Sequence, residues 1–392
     1  MAGSYHEARV PVRQITHGPL FHWFGYYDKW QFDPTSRYVL ANQVSFEHRS
    51  PRPEDEIRVG MIDTAEGDRW TTLGSTTAWN WQQGCMLQWL PGSRSEIIWN
   101  ARQDGQFVSH ILDVKSGKRR TLPAPVYTIS PDAKHALYPD FRRLNDTRPG
   151  YGYAGLPDPS AASTAPDNAG IWSLDLASGK SQLILSFAQV AAFPHAHKEA
   201  APKPGAKHWV NHLLHSPSGR RFIFLHRWRN PGEAPFNTRL FTASTNGRDL
   251  YELDPYGKTS HFIWRDDAHI LAWAWHPSAE NKFYLYKDRT PQVETVGAGV
   301  MTVNGHCTYL PGNKWILNDT YPGPGRNQTV YLYEPATNRR IDLGAFHSPE
   351  PYTGEWRCDT HPRFAPDGRK VCIDSPHNNG RQMYLLDISG IV

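Results

Sequence analysis

Short apolar runs alternate with polar turns along the whole chain, and the same unit recurs seven times. Each unit has two β-rich runs separated by a Ser-Pro-Asp-Gly-like turn, centred on Pro34, Pro91, Pro131, Pro217, Asp266, Pro311 and Pro366. Proline presets φ and glycine accepts positive φ, so these turns predict β-hairpins. A second turn, marked by Asp after an apolar run, follows most units, as at Asp63, Asp113, Asp175 and Asp387. The pattern therefore predicts four antiparallel strands in each unit.

Four-stranded units of roughly 40 to 50 residues are typical of β-propeller blades. We therefore predict an all-β, seven-bladed β-propeller that forms one domain over residues 1–392. The last unit stops after its third strand at Val392, and the segment from Ala8 to Ile15 is expected to supply the fourth. This N-terminal strand would close the ring and remove an exposed edge.

Helical periodicity is nearly absent, and only residues 182–192 have the pattern of a short helix. Two segments exceed the repeat: an insertion in the third blade at about 138–169, and a loop at 191–205. Long insertions on rigid scaffolds often carry function, so the insertion is a candidate rim for a binding site. The alternative is a solvated loop.

Four histidines occupy one position of the repeat, five residues before the turn: His212, His261, His306 and His361. The innermost strand of each propeller blade starts at one mouth of the central channel, so these rings are expected to gather there. Clustered neutral imidazoles are the usual ligands of divalent transition metals. Asp359 lies two residues before His361, on the same side of a strand, and is a further candidate ligand. The alternative is a set of polar residues that line a wet channel and bind each other or water.

Composition narrows the function classes. The chain has 392 residues, a formal net charge of +4 and four cysteines, and it lacks a Lys/Arg block, a CxxC pair or an apolar run of membrane-span length. Nucleic acid and membrane partners are therefore not expected. The cysteines are expected to be reduced thiols in a cytoplasmic protein. The mild positive charge permits an anionic ligand without requiring one.

Several motifs in the predicted blades four to seven are more specific than the repeat turns. They are Asn211-His212-Leu-Leu-His-Ser-Pro with Phe224-Leu-His226-Arg, Thr238-Arg239-Leu-Phe-Thr, Gly305-His306, Trp315-Ile-Leu-Asn-Asp319 and Thr360-His361-Pro-Arg-Phe-Ala-Pro-Asp-Gly368. In these motifs, over about half of its length, the chain resembles the oligogalacturonate lyases, seven-bladed cytoplasmic propellers that use manganese. It departs from them at Asp359-Thr-His361-Pro, where the family tends to have two histidines around a proline.

The resemblance implies a lyase that cleaves uronate-containing oligosaccharides by β-elimination. A base removes the C5 proton, and a divalent metal stabilises the charge that develops on the carboxylate. The metal would be Mn²⁺, with Ca²⁺, Zn²⁺ or another divalent ion as alternatives, held by His261, His306, His361 and Asp359. Arg239 matches the base position of the family, although its high pKa in water argues against that role. A salt bridge is the alternative for Arg239.

Other candidates come from the predicted channel and rim. Lys29 and His212 are candidate catalytic residues, and Lys29 has an ion pair with Asp28 as its alternative. The substrate-binding candidates combine aromatic planes, amides and cations: Tyr26, Tyr27, Trp81, Gln83, Arg148, Tyr151 and His226. For Trp81 the alternative is a buried core tryptophan. The expected partner is an acidic oligosaccharide. Two other functions stay open: an enzyme acting on another acidic or modified sugar, and a non-catalytic binding scaffold.

Overall fold

The computed structural model describes residues 6–392, with side chains described from residue 9 onward. Its strands form seven antiparallel sheets, six of four strands and one of five. This confirms the all-β fold of a seven-bladed β-propeller. The chain divides into two compact units, residues 1–121 with 303–392, and residues 122–302. A single domain over residues 1–392 stays a prediction. Among the described residues, no helix has the length and apolar character needed to cross a membrane.

The N-terminal segment supplies two strands where the sequence predicted one. Strand β1 (His6–Ala8) pairs with the strand Arg339–His347 and makes the sixth sheet five-stranded. Strand β2 (Val12–Gln14) pairs antiparallel with the last strand of the chain, Gln382–Asp387. The second pairing confirms that the N-terminal segment completes the last blade and covers its edge. The extra strand β1 is a correction to the expected uniform four-stranded blades.

The first two sheets are each formed by four consecutive strands. Sheet one contains β3 (Phe21–Trp23), β4 (Tyr38–Val44), β5 (Ile57–Asp63) and β6 (Arg69–Thr76). Sheet two contains β7 (Gln88–Trp89), β8 (Glu96–Gln103), β9 (Gln106–Asp113) and β10 (Arg119–Leu122). In both sheets the strands are ordered as in the sequence, which is the up-and-down order that hairpin turns produce.

Sheets three to five belong to the second unit. Sheet three contains β11 (Thr128–Ile129), β12 (His135–Pro139), β13 (Gly170–Asp175) and β14 (Ser181–Ser186), with helix α1 (Phe141–Thr147) between β12 and β13 and helix α2 (Phe187–Ala192) after β14. Sheet four contains β15 (Lys207–His215), β16 (Arg221–Arg229), β17 (Asn237–Ser244) and β18 (Tyr251–Asp254). Sheet five contains β19 (Phe262–Asp266), β20 (His269–His276), β21 (Glu280–Lys287) and β22 (Val293–Val296).

Sheets six and seven complete the first unit. Sheet six contains β23 (Thr308–Tyr309), β24 (Ile316–Asn318), β25 (Asn327–Glu334) and β26 (Arg339–His347) with β1. Sheet seven contains β27 (Arg363–Phe364), β28 (Lys370–Ser375) and β29 (Gln382–Asp387) with β2. Three 3₁₀ turns lie in connections, at Lys198–Ala200, Pro324–Arg326 and Gly354–Trp356.

The predicted helix at 182–192 is wrong in its first half, because β14 extends to Ser186 as the outer strand of sheet three. Helix α2 begins after Ser186, whose hydroxyl accepts from the backbone of Gln189 while the Gln189 side chain accepts from the backbone of Ser186. This capping box explains why the chain changes from strand to helix at that serine.

The insertion in the third blade is packed against β15, in contrast to the alternative of a solvated loop. Asp140 caps α1 by accepting from the backbone of Arg142. Arg143 is fully buried, donates to Asp158 at 3.1 Å and to the carbonyl oxygen of His208 at 3.0 Å, and bonds two more insertion carbonyls. Arg143 therefore ties the insertion to the innermost strand of sheet four.

The interior of each unit is formed by the middle strands. Strand β16 is buried from Phe222 to Trp228, as expected for a strand covered on both faces. Clusters of aliphatic and aromatic side chains fill the space around such strands, including Trp23, Val39 and Trp99 in the first unit and Leu225, Phe262 and Tyr284 in the second. These cores hold the inner strand ends, where the candidate site residues lie.

Candidate functional site

Two histidines of the predicted column come together in the first unit. The rings of His306 and His361 have centroids 4.2 Å apart at an angle of 80°, and both residues are buried. A Cβ on Gly305 would lie 1.9 Å from the carbonyl oxygen of Asp319, so only glycine permits the close approach that seats His306. His361 has φ of 38°, in a region that is costly for a non-glycine residue and that is often found at functional sites.

Asp359 joins these two rings. One ligand atom from each of His306, Asp359 and His361 lies within 4.8 Å of the others. Asp359 Oδ2 accepts from Arg357 Nε at 2.8 Å and lies 3.9 Å from His361 Nε2. Asp359 Oδ1 is buried and has no hydrogen-bond partner among the described residues. A buried carboxylate oxygen without a partner is costly, and a bound cation removes that cost.

Asp319 fixes the orientation of His306. Its carboxylate accepts from the His306 backbone at 2.6 Å and lies 2.9 Å from His306 Nδ1, and it also accepts from Thr360 Oγ1 at 2.5 Å. The proton of His306 is therefore held at Nδ1, which leaves Nε2 as the ligand atom. Sequence reasoning quoted Asp319 within a motif but gave it no role. Its position at the end of β24, opposite Gly305, was the available signal.

The chemistry of these donors fits a divalent cation. Two imidazoles and one carboxylate converge, and Asp319 supports one imidazole from behind, as is usual around metal-bound histidines. Imidazole suits Zn, Fe and Cu, whereas carboxylate and water suit Mn, Mg and Ca, so the mixed set is compatible with Mn²⁺ or Fe²⁺.

Two tyrosines of the first sheet pack against this cluster. Tyr26 contacts the ring of His361 at 5.2 Å, and Tyr27 contacts the ring of His306 at 5.4 Å. Gly25 has φ of 120°, and a Cβ there would lie 2.7 Å from the backbone of Gln83, so the turn that presents both tyrosines requires glycine. The predicted residues Tyr26 and Tyr27 therefore do lie beside the predicted ligands.

Lys29 forms the ion pair that was its alternative. Its Nζ lies 3.0 Å from Asp28 Oδ1, and both side chains are buried. Burial lowers the pKa of Lys29 from its ordinary value, while Asp28 opposes this shift. The structure therefore shows the ion pair, and the catalytic role of Lys29 stays a prediction.

Trp81 and Gln83 lie in the buried connection between β6 and β7. The Trp81 indole is 1% exposed, packs on Trp23 at 5.3 Å and donates to the carbonyl oxygen of Arg49 at 2.7 Å. The guanidinium of Arg381 lies 4.8 Å above its ring. This enclosure favours the core alternative for Trp81. Gln83 is also buried, and its backbone nitrogen donates to Asn80 Oδ1 at 2.8 Å.

The other two column histidines lie in the second unit. His212 has φ of 52° at an irregularity of the β15–β16 pairing, and its ring stacks on Phe262 with centroids 3.9 Å apart. His261 directly precedes β19, and its Nδ1 lies 3.3 Å from Ser260 Oγ. Both side chains are buried. Their predicted roles, catalysis for His212 and metal binding for His261, stay predictions.

A row of polar side chains crosses all four strands of sheet four. We call it the histidine row, and it consists of His208, His226, Arg239 and Glu252, one each from β15, β16, β17 and β18. His208 Nδ1 lies 2.9 Å from His226 Nε2, Arg239 Nε donates to His226 Nδ1 at 3.0 Å, and Arg239 Nη1 donates to Glu252 at 2.8 Å. The links form an unbroken chain from the inner strand to the outer strand.

The donors of this row determine both histidine tautomers. His226 Nδ1 must accept, because Arg239 only donates, so neutral His226 carries its proton at Nε2. That proton is donated to His208 Nδ1, which places the proton of His208 at its own Nε2. Burial, followed by the charge of Arg239, lowers the pKa of His208 to about 4 and that of His226 well below its ordinary value. Both rings are therefore neutral near pH 7.

Arg239 is fully engaged in this row. Its Nη2 donates to the carbonyl oxygens of Val190 and Phe193, and its Nη1 bonds Glu252 and the same loop. Burial lowers the pKa of Arg239, and Glu252 opposes this shift. The salt bridge that was the alternative for Arg239 is thus present, and it anchors helix α2 to β17. The predicted substrate residue His226 is its neighbour in the row. Sequence reasoning missed His208 and Glu252, since neither falls in the repeat column.

The remaining predicted residues lie at the end of α1. Arg148 follows the helix, and its guanidinium lies 3.8 Å above the ring of the buried Tyr151. The two residues lie together, and their role at a substrate rim stays a prediction.

The fold has known counterparts. No protein-family model matches the chain, and no curated protein matches it by sequence. An oligogalacturonate lyase in complex with manganese superposes with a TM-score of 0.68 at 14% identity, over 98% of this chain and 95% of that one. The oligogalacturonate lyase of Vibrio parahaemolyticus gives 0.68 at 12% identity, over 97% and 96%. The tricorn protease gives 0.51 at 10% identity, over 95% of this chain and 34% of that one. These similarities establish the fold and confirm the resemblance at that level.

Proposed function

We propose that this protein is a divalent-metal-dependent lyase that cleaves uronate-containing oligosaccharides by β-elimination in the cytoplasm. The observation that carries the proposal is the convergence of His306, Asp359 and His361, with a buried Asp359 oxygen that has no partner among the described residues. The solved structure of an oligogalacturonate lyase with manganese has the same fold and supports the choice of Mn²⁺.

The residues divide the work as follows. His306, Asp359 and His361 would hold the ion, and Asp319 keeps His306 Nε2 available to it. When bound, a divalent cation supplies a Lewis acid that stabilises negative charge on the uronate carboxylate. Tyr26 and Tyr27 are buried and pack against the two imidazoles, and their contact with a sugar stays a prediction.

The base is assigned to Lys29. Lys29 is a buried amine that follows Tyr26 and Tyr27 in the same connection; burial lowers its pKa, and the ion pair with Asp28 at 3.0 Å opposes this shift. Arg239 is the weaker candidate, because every nitrogen of its guanidinium already donates within the protein. Lys29→Met should therefore lower kcat far more than KM, whereas the same change in a residue that only binds would mainly raise KM.

The proposal is tested by incubating the protein with saturated digalacturonate and trigalacturonate in the presence of Mn²⁺. Elimination leaves an unsaturated sugar, so ultraviolet absorbance should rise and the product masses should sum to that of the substrate without added water. His361→Ala should abolish the reaction, and the exposed His135→Gln is the matched control. Products that carry one added water, or no turnover of any uronide by metal-loaded protein, would refute the lyase.

The same donors favour a second candidate. Two histidines and one carboxylate are also the ligand set of non-haem iron(II) oxygenases, and Asp359 supplies the carboxylate where the resembled family tends to have histidine. An iron(II)-dependent oxidation of an acidic sugar would consume O₂ in step with product, and elimination would not. Oxygen uptake by Fe²⁺-loaded protein separates the two.

A further inference from the structure

Arg227 is a buried cation to which residues 9–392 offer no counterion. The residue is 5% exposed, and its Nε and Nη1 have no hydrogen-bond partner among the described residues. It lies on β16, opposite Trp209 of β15 and Thr238 of β17. Its guanidinium lies 4.8 Å above the ring of Phe236, and that ring is its one described polar or aromatic contact.

Two more guanidinium groups lie in the same neighbourhood. Arg148 lies 5.0 Å above the ring of Phe236 as well, so one phenyl ring contacts two cations. Arg229 lies 5.5 Å above Trp209 and donates to the carbonyl oxygen of Thr147, while its Nε is buried without a described partner. Within residues 9–392, none of these three arginines forms an ion pair with a carboxylate.

The surroundings of Arg227 differ from those of the other buried arginines in the second unit. Arg143 and Arg239 are each paired with a carboxylate and with several carbonyl oxygens. A buried guanidinium that lacks such partners has lost its hydration without replacement, which is strongly unfavourable. Cation–π contacts return only part of that cost. An anion between these guanidinium groups would remove it.

We propose that Arg227, with Arg148 and Arg229, forms a carboxylate-binding subsite that takes an acidic sugar unit of the substrate. The guanidinium group of Arg227 binds the carboxylate through charge-assisted hydrogen bonds, and Arg148 and Arg229 add positive charge beside it. The identity of the ligand rests on the proposed function, since the chemistry of the site alone specifies only an oxyanion. Sequence reasoning named Arg148 and Tyr151 for the substrate and gave Arg227 no role.

The test compares two properties of Arg227→Met. Binding of saturated trigalacturonate, measured by calorimetry without added metal, should weaken by about 10–100-fold. The thermal midpoint of the ligand-free protein should rise, because methionine fills the space without an uncompensated charge. Arg227→Lys keeps the charge and loses the fork, so its affinity should fall between those of the other two proteins. Arg142→Met is the matched control, since Arg142 lies in the same insertion and is paired with Asp140.

Several outcomes would overturn the subsite. They are a lower thermal midpoint of Arg227→Met with unchanged affinity, equal affinity for neutral maltotriose, and no binding of trigalacturonate by the parent protein. Tighter Arg227-dependent binding of inorganic phosphate would overturn the sugar assignment. Failure of the proposed function looks different: trigalacturonate binds in an Arg227-dependent manner, but Mn²⁺-loaded protein eliminates nothing. Elimination by the parent protein, together with equal affinity of the parent and Arg227→Met for trigalacturonate, would leave the lyase intact and refute the subsite.

Discussion

Two buried histidine clusters, one in each compact unit, use the same residue types in opposite ways. In the first unit, His306, His361 and Asp359 point their ligand atoms at one another within 4.8 Å. In the second, His208, His226, Arg239 and Glu252 are joined in series, each bonded to the next. Donors that converge leave a place for a ligand, and donors that are linked in series satisfy each other.

The two clusters also differ in how their charged side chains are paired. The histidine row pairs the positive charge of Arg239 with the negative charge of Glu252, so it is neutral and complete. In the convergent cluster, Asp359 is paired with Arg357, whereas Asp319 bonds His306 and Thr360 and forms no ion pair with an arginine or lysine among the described residues. The composition of a buried histidine cluster therefore says little about its role, whereas the direction of its donors and the pairing of its charges identify the one that fits a cation.

The largest effect on stability should come from breaking the chain of hydrogen bonds in the histidine row. Arg239→Met removes the ion-pair partner of Glu252, whose side chain is 6% exposed and which keeps only a hydrogen bond from the backbone of Ala196, and it removes the bonds that hold α2. The free energy of unfolding should therefore fall by about 3–5 kcal/mol. Denaturant unfolding measures this directly. The exposed Arg248→Met should change stability by less than about 0.5 kcal/mol. A loss for Arg239→Met as small as the control would show that the row is not structural.

The next effect comes from removing a converging ligand. Asp359→Asn keeps the shape and removes the charge, so Mn²⁺ affinity measured by calorimetry should fall by more than the ~100-fold upper range of outer-sphere changes. Stability without metal should change little by comparison, because one oxygen of Asp359 has no described partner to lose. The same substitution in the row, Glu252→Gln, should leave Mn²⁺ affinity as it is. Equal affinity of Asp359→Asn and the parent protein would remove Asp359 from the metal shell.

A smaller effect tests the support behind the cluster. Asp319→Asn weakens the bond that holds the proton of His306 at Nδ1, so Mn²⁺ affinity should fall by about 10–100-fold. The measurement is a Mn²⁺ titration at constant pH, and Asp342→Asn, a surface carboxylate of β26 paired with Arg340, is the control. An Asp319→Asn protein that unfolds without binding any metal would instead identify Asp319 as a purely structural residue.

The fold and the proximity of His306 to His361 follow from the sequence for the same reason. Hairpin turns recur at a constant spacing, so position in the repeat determines position on the inner strand, and the two rings lie 4.2 Å apart. The N-terminal strand β2 followed from the missing strand of the last blade. Strand β1 has no counterpart in the repeat, so nothing in the spacing could reveal it.

What the repeat could not supply was the direction and the partners of side chains. Trp81 has a residue type that suits a sugar, and the structure shows its indole packed on Trp23 and beneath Arg381, contacts that the repeat does not specify. Arg239 was assigned from a resemblance, while its partners Glu252 and the carbonyl oxygens of the α2 loop lie far from it in sequence. In the sequence, nothing distinguishes Arg227 from the nearby arginine Arg229. In the structure, Arg227 differs from Arg143 and Arg239 because no described carboxylate lies beside it.

The smallest effect is a difference in pH dependence between parent and variant. The folded-state pKa of His208 is about 4, below its ordinary value of 6.5, because of burial and the charges of Arg239 and Arg143. Between these values the unfolded chain binds a proton that the folded protein does not, so stability is complete above pH 6.5 and falls as the pH drops towards 4. One such histidine contributes a slope of at most ~1.4 kcal/mol per pH unit in this window.

His208→Gln removes that proton, so the slope of unfolding free energy against pH should decrease by about this amount between pH 6.5 and pH 4. Glutamine offers an amide in place of the imidazole and cannot be protonated in this range. Denaturant unfolding at several pH values measures the slope, and the exposed His135→Gln is the control for loss of an imidazole. An unchanged slope would mean that His208 takes up its proton as readily in the folded protein as in the unfolded chain. The tautomers derived for the row would then be wrong, because a charged His208 donates from Nδ1 to His226 and reverses the direction of that bond.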